Sequence, residues 1–298
     1  MPDPLFASPA YLLATLATAL VIGALIGSIG IGGILLSPFL IGVVGLDVRD
    51  AITISSASFI ATGAAALVMF ARAERHHPAR AERNGMTPPR SRLRRFAAPG
   101  GGGVRASRRL FGAHLARGWP LVIATLPGAF VGALALGYAP KRLSLAVLAA
   151  LLVAAGVRVL SQRALAERHG VTRATSLRAD CAVGVFGGFV SALTGTGGPM
   201  VLVPIELWRG VPLLAAVAIG QVAQLPIAAT ATLGNALAGG VDIVAASAIG
   251  VALVPGVFVG RRVASALPLA WLTRALAVLL IVLGAWFALR AAALTGSG

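Results

Sequence analysis

The feature that most restricts this chain is its series of long apolar runs. Stretches rich in Ala, Leu, Val and Gly recur at roughly residues 10–44, 51–71, 118–139, 143–160, 179–208, 212–237, 240–260 and 269–292. Many are near the ~20 residues that an α-helix needs to cross ~30 Å of hydrocarbon. They do not alternate with period two, as the strands of a membrane barrel would. Of the 298 residues 58% are hydrophobic and only 11% are charged, against about 25% charged in an ordinary soluble domain. So few polar residues could not cover a water-soluble fold of this size. The sequence therefore predicts an all-α polytopic membrane protein.

The charge has a pattern. The formal net charge is +16, and 12 of the 25 Lys and Arg lie between Arg72 and Arg117, with 5 more between Arg158 and Arg178. Basic loops between apolar spans mark the cytoplasmic side of a membrane protein, so nucleic acid is not an expected partner. Region 73–117, with its basic runs and Pro99-Gly100-Gly101-Gly102-Gly103, reads as a mobile loop. Region 161–178 reads as a second basic loop. Both are expected in the cytoplasm, and the protein in the cell membrane. The start of the chain lacks a positive stretch before its apolar run and reads as the first membrane segment, not a cleaved signal.

Catalytic and metal chemistry find no residues. Cys181 is the single cysteine, so no disulfide within the chain is available. His76, His77, His114 and His169 stand in or beside basic loops without metal-ligand spacing to Asp, Glu or Cys. No Ser–His–Asp set appears, so the expectation is no enzyme, no metal and no cofactor.

The chain reads as two repeats of four segments. At an offset of 165, Gly32-Gly33 falls on Gly197-Gly198, and SIGIGGILLSPF lies on LTGTGGPMVLVP. At an offset of 128, PGAFVG falls on PGVFVG, with Pro140 on Pro268 and Gly156 on Gly284. The offsets differ by 37 residues, the excess length of the 73–117 loop, which is therefore an insertion. The expected division is a first repeat over 1–162, a basic linker over 163–178 and a second repeat over 179–298.

The opening segment of each repeat carries the functional signal. Residues 10–44 would make a helix about 52 Å long, too much for one upright crossing. Its middle holds Gly27, Gly30, Gly32 and Gly33; the second copy holds Gly195, Gly197, Gly198 and then Pro199. Inside a helix Gly costs ~1 kcal/mol against Ala and Pro ~3, so both segments are expected to break. A break at membrane depth is tolerated only inside protein or beside a water-filled cavity. The half-helices starting near Gly33 and Gly198 would then offer free N–H groups to a small anion. Ser28, Thr194 and Thr196 could add hydroxyls. Paired broken helices in matching places of two repeats point to a transporter's binding site.

The remaining small and polar residues divide. The pairs Gly23/Gly27, Gly184/Gly188, Gly128/Gly132 and Gly256/Gly260 have the spacing that lets membrane helices pack closely. The second segments carry Ser55, Ser56 and Ser58 in one copy and Gln221 and Gln224 in the other, with Ser56 on Gln221 at the repeat offset. Ser56, Gln221 and Gln224 are candidates to line the pathway. Asn235 reads as a helix cap. Asp47, Asp50 and Asp242 read as turn residues and Asp180 as a segment start. Glu206, inside an apolar stretch, reads either as a coupling carboxylate or as an interfacial partner of Arg209.

Orientation turns on parity. If each broken segment crosses once, the repeats are parallel. If each folds back, the repeats are inverted and both termini lie outside. The inverted arrangement obeys the charge rule better, because Arg209, Arg261 and Arg262 then fall inside.

These motifs resemble the sulfite exporter TauE/SafE family of membrane transporters. The likeness lies in GSIGIGGILLSPFLIGVVGLDVRDAITISSAS, in its second copy SALTGTGGPMVLVPIELWRGVPLLAAVAIGQ, and in the paired PGAFVG and PGVFVG blocks. Where the family often has a third consecutive glycine, Ile34 and Pro199 stand here; Pro38 and Pro204 supply the later prolines. The resemblance implies transport, as an exporter, of sulfite, sulfonates or related sulfur-containing organic anions. The expected partners are that anion, the lipid bilayer and a coupling ion, proton or sodium; a homo-oligomer is compatible with this. The expected binding residues are Ser28, Gly30, Gly32, Gly33, Ser56, Thr194, Gly195, Thr196, Gly197, Gly198, Gln221 and Gln224. The competing reading is an integral-membrane enzyme or assembly protein docking through loop 73–117.

Overall fold

The computed structural model describes residues 9–29, 32–83, 118–165, 176–211, 213–263 and 269–293. Within them every regular element is helical. Helix α1 is Pro9–Ile29, a 3-10 turn over Gly32–Leu35 leads into α2 (Leu36–Gly42), and α3 is Val48–Arg83. Then come α4 (Trp119–Tyr138), α5 (Lys141–Leu165), α6 (Leu177–Thr194), α7 (Pro199–Trp208), α8 (Leu213–Ala238), α9 (Ile243–Val263) and α10 (Leu269–Ala293). One boundary departs from the sequence reading: α3 continues to Arg83, into the stretch expected to be loop. Its Ala, Arg and Glu are good helix formers, and polar residues continue a helix once it leaves the membrane. The rest of that loop, 84–117, and linker residues 166–175 lie outside the described residues.

Helix ends follow local chemistry. Ser176 caps α6 by accepting the Ala179 N–H at 3.2 Å. Asp242 caps α9, accepting the Ala245 N–H at 2.8 Å. Asn235 behaves otherwise than expected: it lies inside α8, where its backbone carbonyl accepts the Gly240 N–H at 3.1 Å and its side-chain amide nitrogen makes no hydrogen bond.

Four helices among the described residues are long and apolar enough to cross a membrane, over Trp119–Tyr138, Leu177–Thr194, Ala215–Ala238 and Ile243–Gly260. The solvent pattern is the reverse of a soluble protein's. Val131, Tyr138, Phe186, Leu237, Val251 and Leu289 are exposed, while Ser37, Ser55, Ser58, Thr62, Thr194 and Gln224 are buried. Apolar outside and hydroxyl-bearing inside is the distribution a bilayer selects.

Glycine decides which helices pair. Helix α1 packs against α9, α4 against α6, and α5 against α10. Side chains at Gly23 and Gly27 would overlap the Leu253 and Val257 carbonyls; ones at Gly256 and Gly260 would overlap those of Leu20 and Ala24. The same reciprocal contact joins Gly184 and Gly188 to Leu121 and Thr125, and Gly128 and Gly132 to Val185 and Phe189. In both pairs numbers rise together, so the helices run parallel with backbones touching. Gly156 and Gly284 seat α5 and α10 antiparallel, against Ile281 and Val153. In each pair one helix precedes the 161–178 linker and the other follows it.

Replacing Gly128 by Leu should force α4 off α6. The expected cost is about 1–3 kcal/mol, read as a lower thermal midpoint in detergent, with the exposed Val131→Leu change as a neutral control.

Candidate functional site

The chain leaves the helical path between Thr194 and Pro199. Gly195 takes the left-handed conformation (φ 61°, ψ 29°) that ends α6, and its N–H bonds back to the Ser191 carbonyl. Gly197 is left-handed as well, at φ 68°, where a side chain would be strained. Pro199 then opens α7, where its missing N–H and fixed φ are tolerated. The Met200 and Val201 amides bond at 3.4 and 3.3 Å to the carbonyls of Gly197 and Gly198. Those of Gly197 and Gly198 make no backbone bond among the described residues. These two donors are fewer than the four orphan amides a helix start would offer. In the other copy, α1 stops at Ile29 and the 3-10 turn starts at Gly32. Gly30 lies outside the described residues. Ser28 is in the last turn of α1, and its side chain is not among those described.

The two glycine segments meet. A β-carbon at Gly33 would lie 3.2 Å from the Thr196 carbonyl oxygen. The Ser37 hydroxyl, in α2, donates to the Gly195 carbonyl at 2.9 Å. The Thr194 hydroxyl donates to the Val190 carbonyl at 2.7 Å and lies 3.1 Å from the Thr196 hydroxyl. Phe59 of α3, 1% exposed, stands between the segments. Its Cζ would be 3.3 Å from a β-carbon at Gly33, and its opposite edge, at Cδ2, 3.2 Å from one at Gly197.

A cavity of about 10 Å³ lies where they meet, lined by Ile26, Gly33, Thr196, Gly197, Pro199, Met200 and Gln224. That is about the room one water needs. The Gln224 amide donates to the Thr62 hydroxyl at 2.7 Å, tying α8 to α3. A second pocket, without room for a water, is bounded by Ser56, Phe59, Ser191, Gly197 and Ile227. The Ser191 hydroxyl there is buried and has no hydrogen-bond partner.

Of the expected residues, Gly33, Thr196, Gly197 and Gln224 thus share one cavity, and Ser56 joins Gly197 at its neighbour. Thr194 and Gly195 support the turn. Gly198 backs onto α8, where a β-carbon would come 2.6 Å from Ile227. Gln221 is buried one turn before Gln224 and lines neither pocket, and Gly32 opens the 3-10 turn. Sequence reasoning passed over Phe59, Ser191, Ser37, Thr62 and Met200. A signal for Phe59 existed: at the 165-residue offset it falls on Gln224.

Charges gather at helix ends. Arg209, after α7, donates to Glu206 at 2.7 Å and pairs with Asp180 in the first turn of α6. Glu206 is thus bound to Arg209, as the interfacial alternative required. The Asp180–Arg209 pair and the close approach of Leu202 to Gly187 run α7 back alongside α6. Elsewhere, Lys141 pairs with Asp47, and the Arg49 guanidinium donates to the Ala238 carbonyl at the end of α8. Burial opposes ionisation of Asp47, but the hydrogen bond from Lys141, the Arg49 amide and the Lys141 charge outweigh it. Its carboxyl is held below the usual range. No group of His, Cys, Asp and Glu among the described residues could hold a metal ion.

An apolar exterior, helices long enough to span a bilayer and a small buried polar centre define a multi-pass membrane protein. A family model described as sulfite exporter TauE/SafE matches residues 96–287, roughly two thirds of the chain, and the protein belongs to that family of membrane transporters. Neither curated proteins nor solved structures gave a match.

Arg209→Met would leave Asp180 and Glu206 as two buried carboxylates without a partner. The expected loss is about 3–5 kcal/mol, measured as thermal midpoint in detergent. The triple change Asp180→Asn, Glu206→Gln, Arg209→Met should recover most of it.

Proposed function

We propose that the protein is a secondary transporter that exports a small sulfur-containing anion, sulfite or a sulfonate, by alternating access around the paired glycine turns. The observation that carries this is the meeting of Gly33 with Thr196 and Gly197 beside Gln224. The Gly197 amide, which makes no backbone bond among the described residues, and the Gln224 side-chain amide supply donors suited to an oxyanion, beside the Thr196 hydroxyl. The cavity fits about one water, so this form is closed around its site and a substrate enters only when the helices move. The sequence holds no nucleotide-binding P-loop, and a gradient of protons or sodium is the energy source this reading calls for.

The reading includes two inverted repeats, over 1–162 and 179–298, joined by a basic linker over 163–178. The return of α7 along α6 supports a segment that folds back, the case in which parity inverts the repeats. The parallel pairs α1–α9 and α4–α6 and the antiparallel pair α5–α10 support an exchange of equivalent helices between repeats. Lys141–Asp47 and Arg49–Ala238 draw one set of helix ends together, and Asp180–Arg209 belongs to the opposite set. With loops 73–117 and 161–178 in the cytoplasm, the first set and both termini face outward.

Two experiments test this. With Cys181 replaced by Ser, an impermeant thiol reagent added to intact cells should label Gly45→Cys and Gly240→Cys but not Gly210→Cys. Labelling of all three, or of Gly210→Cys alone, would reject the inverted topology. In proteoliposomes loaded with labelled sulfite, the wild type should release label and Gly197→Leu should fall to the protein-free rate. Equal release by both would reject the site.

A further inference from the structure

We propose that Phe59 is the size filter of this transporter: its ring partitions the anion site and restricts the protein to compact oxyanions, excluding sulfonates with a longer tail. The inference rests on the transport reading above and concerns the substrate class it admits.

The ring is wedged by opposite edges between Gly33 and Gly197, the two turns that form the site. A side chain at either glycine would press on it, so its position depends on glycine at both. On one side is the cavity with Thr196, Gly197 and Gln224. On the other is the pocket with Ser56 and Ser191. Gly197 lines both, and Phe59, which bounds the second pocket, packs against Gly33 and Gly197, the two glycines that line the first. The pocket behind the ring has polar groups. The Ser191 hydroxyl is 1% exposed for its residue and unpartnered, although a serine in a helix normally bonds back one turn. A buried hydroxyl without a partner is unfavourable, and a ligand oxygen reaching past the ring would satisfy it.

Removing the ring should join the two spaces. The test is efflux of labelled sulfite from proteoliposomes, in competition with methanesulfonate, butanesulfonate and 3-hydroxypropanesulfonate. Wild type, Phe59→Ala, Phe59→Leu, Ser191→Ala and Phe59→Ala/Ser191→Ala are compared. Wild type should be inhibited by methanesulfonate and not by the two longer anions. Phe59→Ala should bind both longer anions at least about tenfold better relative to sulfite, since each buried methylene is worth about fourfold. Phe59→Leu, the milder variant if the alanine form is unstable, should be intermediate. Ser191→Ala alone should leave sulfite efflux unchanged, because the hydroxyl lies behind the partition. In the Phe59→Ala background it should remove the advantage of 3-hydroxypropanesulfonate over butanesulfonate. Strong inhibition of the wild type by the longer anions, or an unchanged size profile in both Phe59 variants, would overturn the filter while leaving transport standing. So would weakened sulfite efflux in Ser191→Ala. A wild type that releases no sulfite would instead overturn the transport reading, and the filter with it.

Discussion

Hydrocarbon offers no hydrogen bonds, and that constraint governs everything else in this chain. A helix can be interrupted inside a bilayer only if the freed amides and carbonyls meet something other than lipid. Here they meet each other's neighbourhood. The Gly195 carbonyl takes the Ser37 hydroxyl, and the Thr196 carbonyl abuts Gly33. The two glycine turns shelter one another behind Ile34, Leu202 and Phe59, all fully buried. Beside these turns, among the described residues, the Gly197 and Gly198 amides make no backbone bond and the Ser191 hydroxyl has no partner, and Gly197 and Ser191 line the small spaces there.

The frame that holds those turns is made by absence of side chains. With lipid as apolar as leucine, burial does little to drive helices together, and close backbone approach takes its place. The glycines of α1, α4, α6 and α9 make that approach reciprocal: each helix presents two of them to its partner's carbonyls. Polar residues are then free to face inward, where Thr62 and Gln224 clip α3 to α8 beside the site.

Much of this was legible in the sequence. The apolar runs announced spanning helices, and the spaced glycine pairs announced the crossings, because both signals are local and repeated. Other features are encoded across distance. Nothing near Phe59 marks it as a wedge; its role comes from Gly33 and Gly197, which lie on other segments. Ser191 looked like one more small residue of α6, and only three-dimensional burial reveals its unused hydroxyl. Asp180 does stand at a segment start, in the first turn of α6, but its pairing with Arg209 depends on the return of α7 and has no local signal. The continuation of α3 to Arg83 was missed because a charged composition speaks for leaving the membrane and says little about leaving the helix. Asn235, named as a cap, sits within α8 because the turn that ends that helix belongs to Gly239 and Gly240, both at positive φ.

The pairing of α1 with α9 has a consequence for how the protein is made. Gly27 rests on Val257, so α1 finds its seat only after some 230 further residues have been added. At bacterial or eukaryotic rates of synthesis that is a wait of roughly ten to fifty seconds. Throughout it the glycine face of α1 lies bare to lipid or to the insertion machinery. Biogenesis is therefore two separate acts, threading first and closure last, and a chain truncated before α9 leaves α1 an orphan.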